Sequence, residues 1–91
     1  MNRIEQLIAC VKELLPLLEA EENKVWHAWF DQALKALESS DAYGCKKILD
    51  AYGGMGSFND VILDNDADEK KRKKLASKIY SLAAELWKEN S

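Results

Sequence analysis

Ala51-Tyr52-Gly53-Gly54-Met55-Gly56-Ser57-Phe58-Asn59-Asp60-Val61-Ile62-Leu63 interrupts a chain otherwise written in helical periods. Three of the four glycines fall between positions 53 and 56. An apolar stripe ends at Tyr52, which puts Gly53 where a left-handed C-terminal cap is expected. Ser57 and Asp60 stand at capping-box spacing, and Phe58, Val61 and Ile62 recur at i, i+3, i+4. The stretch therefore reads as helix, glycine turn, short second helical turn. Val61-Ile62-Leu63 is too brief to be a strand, so the expected fold is all-α.

Working outward, the segment before the turn carries Cys45, Ile48, Leu49 and Tyr52 at helical spacing. It predicts a helix from about Ala42 to Tyr52, started by the turn cluster Ser39-Ser40-Asp41, with Gly44 tolerated in its first turn. Upstream, Trp26, Trp29, Phe30, Ala33, Leu34 and Leu37 predict a helix from about Lys24 to Glu38 capped by Asn23. Its three large aromatics would dominate a small core. The first helix should run from about Arg3 to Ala20. Asn2 is its cap and Glu5 completes a capping box. Its stripe is Ile4, Leu7, Ile8, Val11, Leu14, Leu15 and Leu18, which keeps phase across Pro16, so a kink is expected there. Glu19, Glu21 and Glu22 read as a solvated connection.

Beyond the turn, Asp66 and Glu69 stand at capping-box spacing and predict a fourth helix from about Ala67 to Lys88. Leu75, Ile79, Leu82 and Leu86 form its narrow seam, with Ala76 and Ala83 beside it. Asp64-Asn65-Asp66-Ala67-Asp68 imitates a calcium loop. It fails at position 6, where Glu69 replaces glycine, and at position 12, where Leu75 replaces glutamate. Lys70-Lys71-Arg72-Lys73-Lys74 would spread around a helix. Asp66, Asp68 and Glu69 precede Lys70, Arg72 and Lys73 by four residues, so the block reads as a solvated, internally paired face.

The whole is one domain over residues 1–91, a compact bundle of four main helices plus a short helical turn after the glycines. Short connections predict sequential helices side by side and roughly antiparallel. With 13 basic and 16 acidic residues the formal charge is −3, a balance that disfavours nucleic acid and membrane surfaces as partners. No apolar run approaches a membrane span and no signal-peptide core opens the chain. Cys10 and Cys45 lie on apolar stripes and read as buried reduced thiols. A cytoplasmic protein is expected.

The turn is also the first candidate site. Gly53, Gly54, Met55, Gly56, Ser57, Asn59 and Asp60, with His27 and Tyr52, are the residues through which a ligand or partner would be bound. A capped helix start after glycines can hold an anion on free backbone N–H groups. No lysine follows the glycines, so the phosphate-binding loop is absent. Gly53-x-x-Gly56 matches the bare GXXG of an RNA-binding loop, but that module needs strands. His27, the single histidine, stands beside the aromatic stripe with no zinc-ligand partner at the required spacing. Asp60 as a base assisted by Ser57 or His27 is the enzymatic alternative, for which no nucleophile–base–orienter set can be assembled. No cofactor motif is present. On the fourth helix, Tyr80 and Trp87 flank the seam as interface candidates for a homodimer or a protein partner.

Ala51 to Asp60 resembles the signature of a family of small uncharacterised bacterial proteins, on the strength of Gly-Gly-Met-Gly-Ser-Phe-Asn-Asp. Trp26 and Trp29 lie where that family carries a Trp-bearing helix. The similarity covers Leu7 to Leu63. It implies a bacterial source and an intracellular location, and brings no catalytic residues with it. The favoured reading is a non-enzymatic protein-interaction module, such as an inhibitor or immunity-type protein. The alternative is a small-molecule or anion-binding domain using the glycine turn.

Overall fold

The computed structural model describes residues 2–52 and 57–89, and for Asn59 the backbone alone. Among these, every regular element is helical: α1 (Arg3–Ala20), α2 (Lys24–Glu38), α3 (Tyr43–Asp50), a 3-10 turn (Phe58–Asp60) and α4 (Asp66–Glu89). The expected C-cap at Gly53, and the conformations of Gly54, Met55 and Gly56, lie outside the described residues.

The ends of α1 and α2 are set locally. The Asn2 side chain accepts from the Glu5 N–H at 2.9 Å, and the Asn23 side chain accepts from the Trp26 N–H at 3.2 Å. Each satisfies one of the donors that a helix start leaves unpaired. α1 continues through Pro16 as one helix, with Pro16 on its exposed side. The link to α2 is tight, with the Asn23 N–H donating to the Leu18 carbonyl at 2.9 Å and Glu22 at φ 57°.

One helix start and one helix end differ from expectation. The cap of α4 is Asn65, whose side chain accepts from the Asp68 N–H at 2.9 Å and whose carbonyl accepts from the Glu69 N–H at 2.8 Å. Asp66 is thus already inside the helix, and the Glu69 carboxylate is released from capping. α3 ends at Asp50 rather than Tyr52: the Ala51 and Tyr52 N–H groups donate to the Ile48 and Leu49 carbonyls three residues back, and the Ala51 carbonyl accepts from the Phe58 N–H at 2.8 Å. That bond closes the loop between them and swings Phe58 into the interior.

The helices form a closed ring: α1 packs on α2, α2 on α3, α3 on α4, and α4 back on α1. α1 and α4 are antiparallel, since Arg3 pairs with Glu85 and Glu89 at one end and the Glu21 carboxylate accepts from the Asp64 N–H at the other. Glu21 therefore joins two elements, where a purely solvated connection was expected. With two neighbours to cover, α1 turns its buried face toward Cys10 and Leu17, which are buried with Leu7, Val11, Leu14 and Leu18, while Ile4, Ile8 and Leu15 of the predicted stripe are partly buried.

The core is completed by Phe30, Ala33, Leu37, Ile48, Phe58, Ile79 and Ala83. Phe58 is fully buried, 4.7 Å from Phe30 and 5.7 Å from both Trp26 and Tyr52 between ring centres. Burying a side chain of this size is worth about 1.5–3 kcal/mol. Trp26 and Trp29 do not fill the centre as expected. They are half-buried at its border, where the Trp29 ring N–H donates to the Lys47 carbonyl at 2.8 Å. The Cα radius of gyration, 12.3 Å, is that of a well-packed chain of this length, about 12 Å.

Candidate functional site

Two hollows among the described residues are lined by candidate residues. The larger, about 840 Å³, is a groove between the end of α3 and the outer side of α4. Leu49 and Tyr52 form one wall. α4 supplies the rest, with small residues Ala76, Ser77, Ser81 and Ala84 along the floor, Tyr80 and Trp87 rising from it, and Arg72 and Lys73 at the end nearest the start of α4. The smaller, about 380 Å³, lies at the α1–α2 link and is lined by Glu19, Glu22, Asn23, Lys24 and His27.

Tyr52 ties the groove to the core. Its hydroxyl donates to the Ala76 carbonyl at 2.9 Å, and its ring meets Phe58 on one side and Tyr80, at 5.0 Å, on the other. Both contacts are edge-to-face, the arrangement favoured by ring quadrupoles. Burial pushes the Tyr52 phenol well above its ordinary range, against the opposing pull of the Arg72 guanidinium.

Arg72 is the residue that the sequence misplaces. It was expected on a solvated face, paired with Asp68. It is instead only 5% exposed and its partner is Glu69. Its Nε and Nη2 donate to the two Glu69 oxygens at 2.7 and 2.8 Å, the parallel fork that arginine makes with a carboxylate. The guanidinium carbon lies 5.6 Å from the Phe58 ring centre, within cation–π range. Glu69 also accepts from the Leu63 N–H at 2.9 Å. The Arg72 bonds, followed by that from Leu63, hold the Glu69 carboxyl down at about 2 despite its burial. The available signal was a lone arginine in a run of lysines, since only arginine presents such a fork. Lys70, Lys71, Lys73 and Lys74 are exposed as predicted.

The candidate residues thus separate. Tyr52, Tyr80 and Trp87 share the groove, whereas His27 lines the other hollow. Ser57 is buried, Asp60 is exposed, and neither lines either hollow. Gly53, Gly54, Met55 and Gly56 lie outside the described residues, as does the Asn59 side chain. Among the described residues no three His, Cys, Asp or Glu side chains gather as metal ligands. No helix among them is long and apolar enough to cross a membrane. Cys10 and Cys45 are free and buried, and burial raises both thiols above their ordinary value.

A family model described as a domain of unknown function (DUF6966) matches residues 19–71, more than half of the chain. The chain belongs to this family. No curated protein and no solved structure matches it. The matched span begins later than the Leu7–Leu63 resemblance and runs further. It takes in α2, α3, the glycine turn and the first turns of α4, including Glu69 but not Arg72.

Proposed function

We propose that this DUF6966 protein is a non-enzymatic interaction module that binds another protein through the α3–α4 groove. The observation that carries the reading is the groove itself, in which Tyr80, 46% exposed, and Trp87 stand over a floor of alanine and serine. Aromatic rings beside a shallow floor of small side chains provide large contact area at small cost in side-chain freedom. The chain has no strand edge among its described residues to offer a partner, so recognition runs through helix faces. An inhibitor or immunity-type role is the form of this reading that a small, mildly acidic chain fits. A bacterial, cytoplasmic setting belongs to the same proposal, supported by the family resemblance and by two buried reduced thiols.

Site-specific cross-linking tests the reading. A photoreactive residue at Ser77, in the groove, is compared with one at Gln32 on exposed α2. The expected result is one protein cross-linked from Ser77 and not from Gln32. That protein, purified, should bind the wild type and not Ser81→Arg, which fills the groove from an exposed position. Equal labelling from both positions, or binding indifferent to Ser81→Arg, overturns it.

A further inference from the structure

The groove carries a charge pattern that specifies its occupant. Arg72 and Lys73 line it, and no carboxylate does, in a chain that is acidic overall. On the helical period, Lys70 and then Asp66 continue the Lys73–Ser77–Ser81–Ala84 row toward the start of α4. The carboxylates of the second half of α4, Glu85 and Glu89, are turned to Arg3 on α1. On the α3 side, Asp50 is paired within its own helix, to Lys46 at 3.0 Å. Arg72 is already neutralised by Glu69, and Lys73 approaches the same carboxylate only to 4.0 Å while its side chain remains 71% exposed. The exposed positive charge lining the groove at that end is therefore that of Lys73, with Lys70 next along the row and Asp66 four residues before it.

We infer that the occupant is an amphipathic helix of a partner protein, with aliphatic side chains against the Ala76–Ala84 floor and Asp or Glu residues at the Lys70–Lys73 end. This rests on the interaction-module reading above and adds the partner's chemistry. From Lys73 to Trp87 the groove wall is about 21 Å long, which matches about four turns of helix. Small side chains on the floor let a second helix approach closely, while Tyr52, Tyr80 and Trp87 supply the flanking contacts. A second copy of this chain is disfavoured by the same pattern, because a two-fold contact would set one cationic groove against another. A nucleic acid is disfavoured by the net charge of −3.

The test uses the intact protein, isotope-labelled, and two synthetic helical peptides of about 16 residues, long enough to fill the groove. One has leucine and alanine on one face and glutamates at one end. In the other every glutamate is lysine. The acidic peptide should shift the amide signals of Ser77, Ser81 and Ala84 and the indole signal of Trp87. Added salt should weaken it, and Lys70→Glu with Lys73→Glu should weaken it about threefold to fivefold, the range for exposed ion pairs. Equal binding of the basic peptide, or no binding of the acidic one, overturns the inference. So does a DNA duplex that shifts the same signals more strongly, or self-association that shifts them without any peptide. A partner cross-linked at Ser77 but indifferent to the two lysine reversals would sink this inference and leave the interaction module standing.

Discussion

Glu69 holds the buried Arg72 guanidinium through two parallel bonds of 2.7 and 2.8 Å, one helical turn apart on α4. Glu69 also takes the Leu63 N–H, and Arg72 lies over Phe58. The pair therefore fastens the segment after the glycine turn to α4, beside the wall of the groove.

Removing one member leaves the other charge buried. Glu69→Gln should destabilise the protein by about 3 kcal/mol, the usual scale for breaking a buried pair. Glu69→Gln combined with Arg72→Met should recover much of that loss, because no unpaired charge remains. Urea denaturation of the three proteins checks both statements. A single variant as stable as the wild type would remove the clasp from the account of the fold.

The same carboxylate makes stability depend on acid. Its folded value, about 2, is below the ordinary 4.5, so the unfolded chain binds the extra proton in that interval. The stabilisation is complete above pH about 4.5 and is lost as the pH falls toward about 2. The urea midpoint should fall across this window in the wild type, and less steeply in Glu69→Gln. Parallel slopes would place the titration elsewhere.

Gly44 marks the closest approach of α3 to α2. A Cβ there would lie 2.8 Å from Leu37 Cγ and 2.9 Å from the Ala33 carbonyl oxygen. The backbone atom cannot turn aside as a side chain can. Gly44→Ala should cost about 1–3 kcal/mol, the range for overpacking, although alanine is the better helix former. Thermal melting at neutral pH decides the sign.

Tyr52→Phe removes the bond to the Ala76 carbonyl and keeps the ring contacts. The expected loss is about 1 kcal/mol. In an alkaline absorbance titration, the part of the signal that disappears in Tyr52→Phe should rise above the ordinary tyrosine range, because burial holds the Tyr52 phenol up. A Tyr52 signal within the ordinary tyrosine range in the folded protein would contradict its burial.

Cys10 and Cys45 are 4% and 2% exposed, so a thiol reagent should reach them only through opening of the bundle. Modification should be slow in buffer and immediate in denaturant, with two thiols counted in the unfolded chain. Fast labelling of the native protein would show that this part of the core is open.

Helix type and two helix starts were legible from the chain itself. Caps and apolar periods act within a few residues, so Asn2 and Asn23 announce α1 and α2 without reference to any neighbour. Tyr80 and Trp87 could be placed on one flank of α4 for the same reason. Other features depend on residues far along the chain. Gly44 looked merely tolerated, and only the packing of α2 shows that a Cβ has no room. Arg72 looked solvated among lysines until Phe58, delivered by the bond from its N–H to the Ala51 carbonyl, reached within cation–π range of it. The burial of Leu17, outside the predicted stripe of α1, follows from having α2 on one side and α4 on the other. Local sequence determines which segments are helical and which side of each is apolar. Which polar side chain is buried, and where a groove is left open, is decided by how those helices meet, because burial and charge pairing are properties of the assembled surfaces.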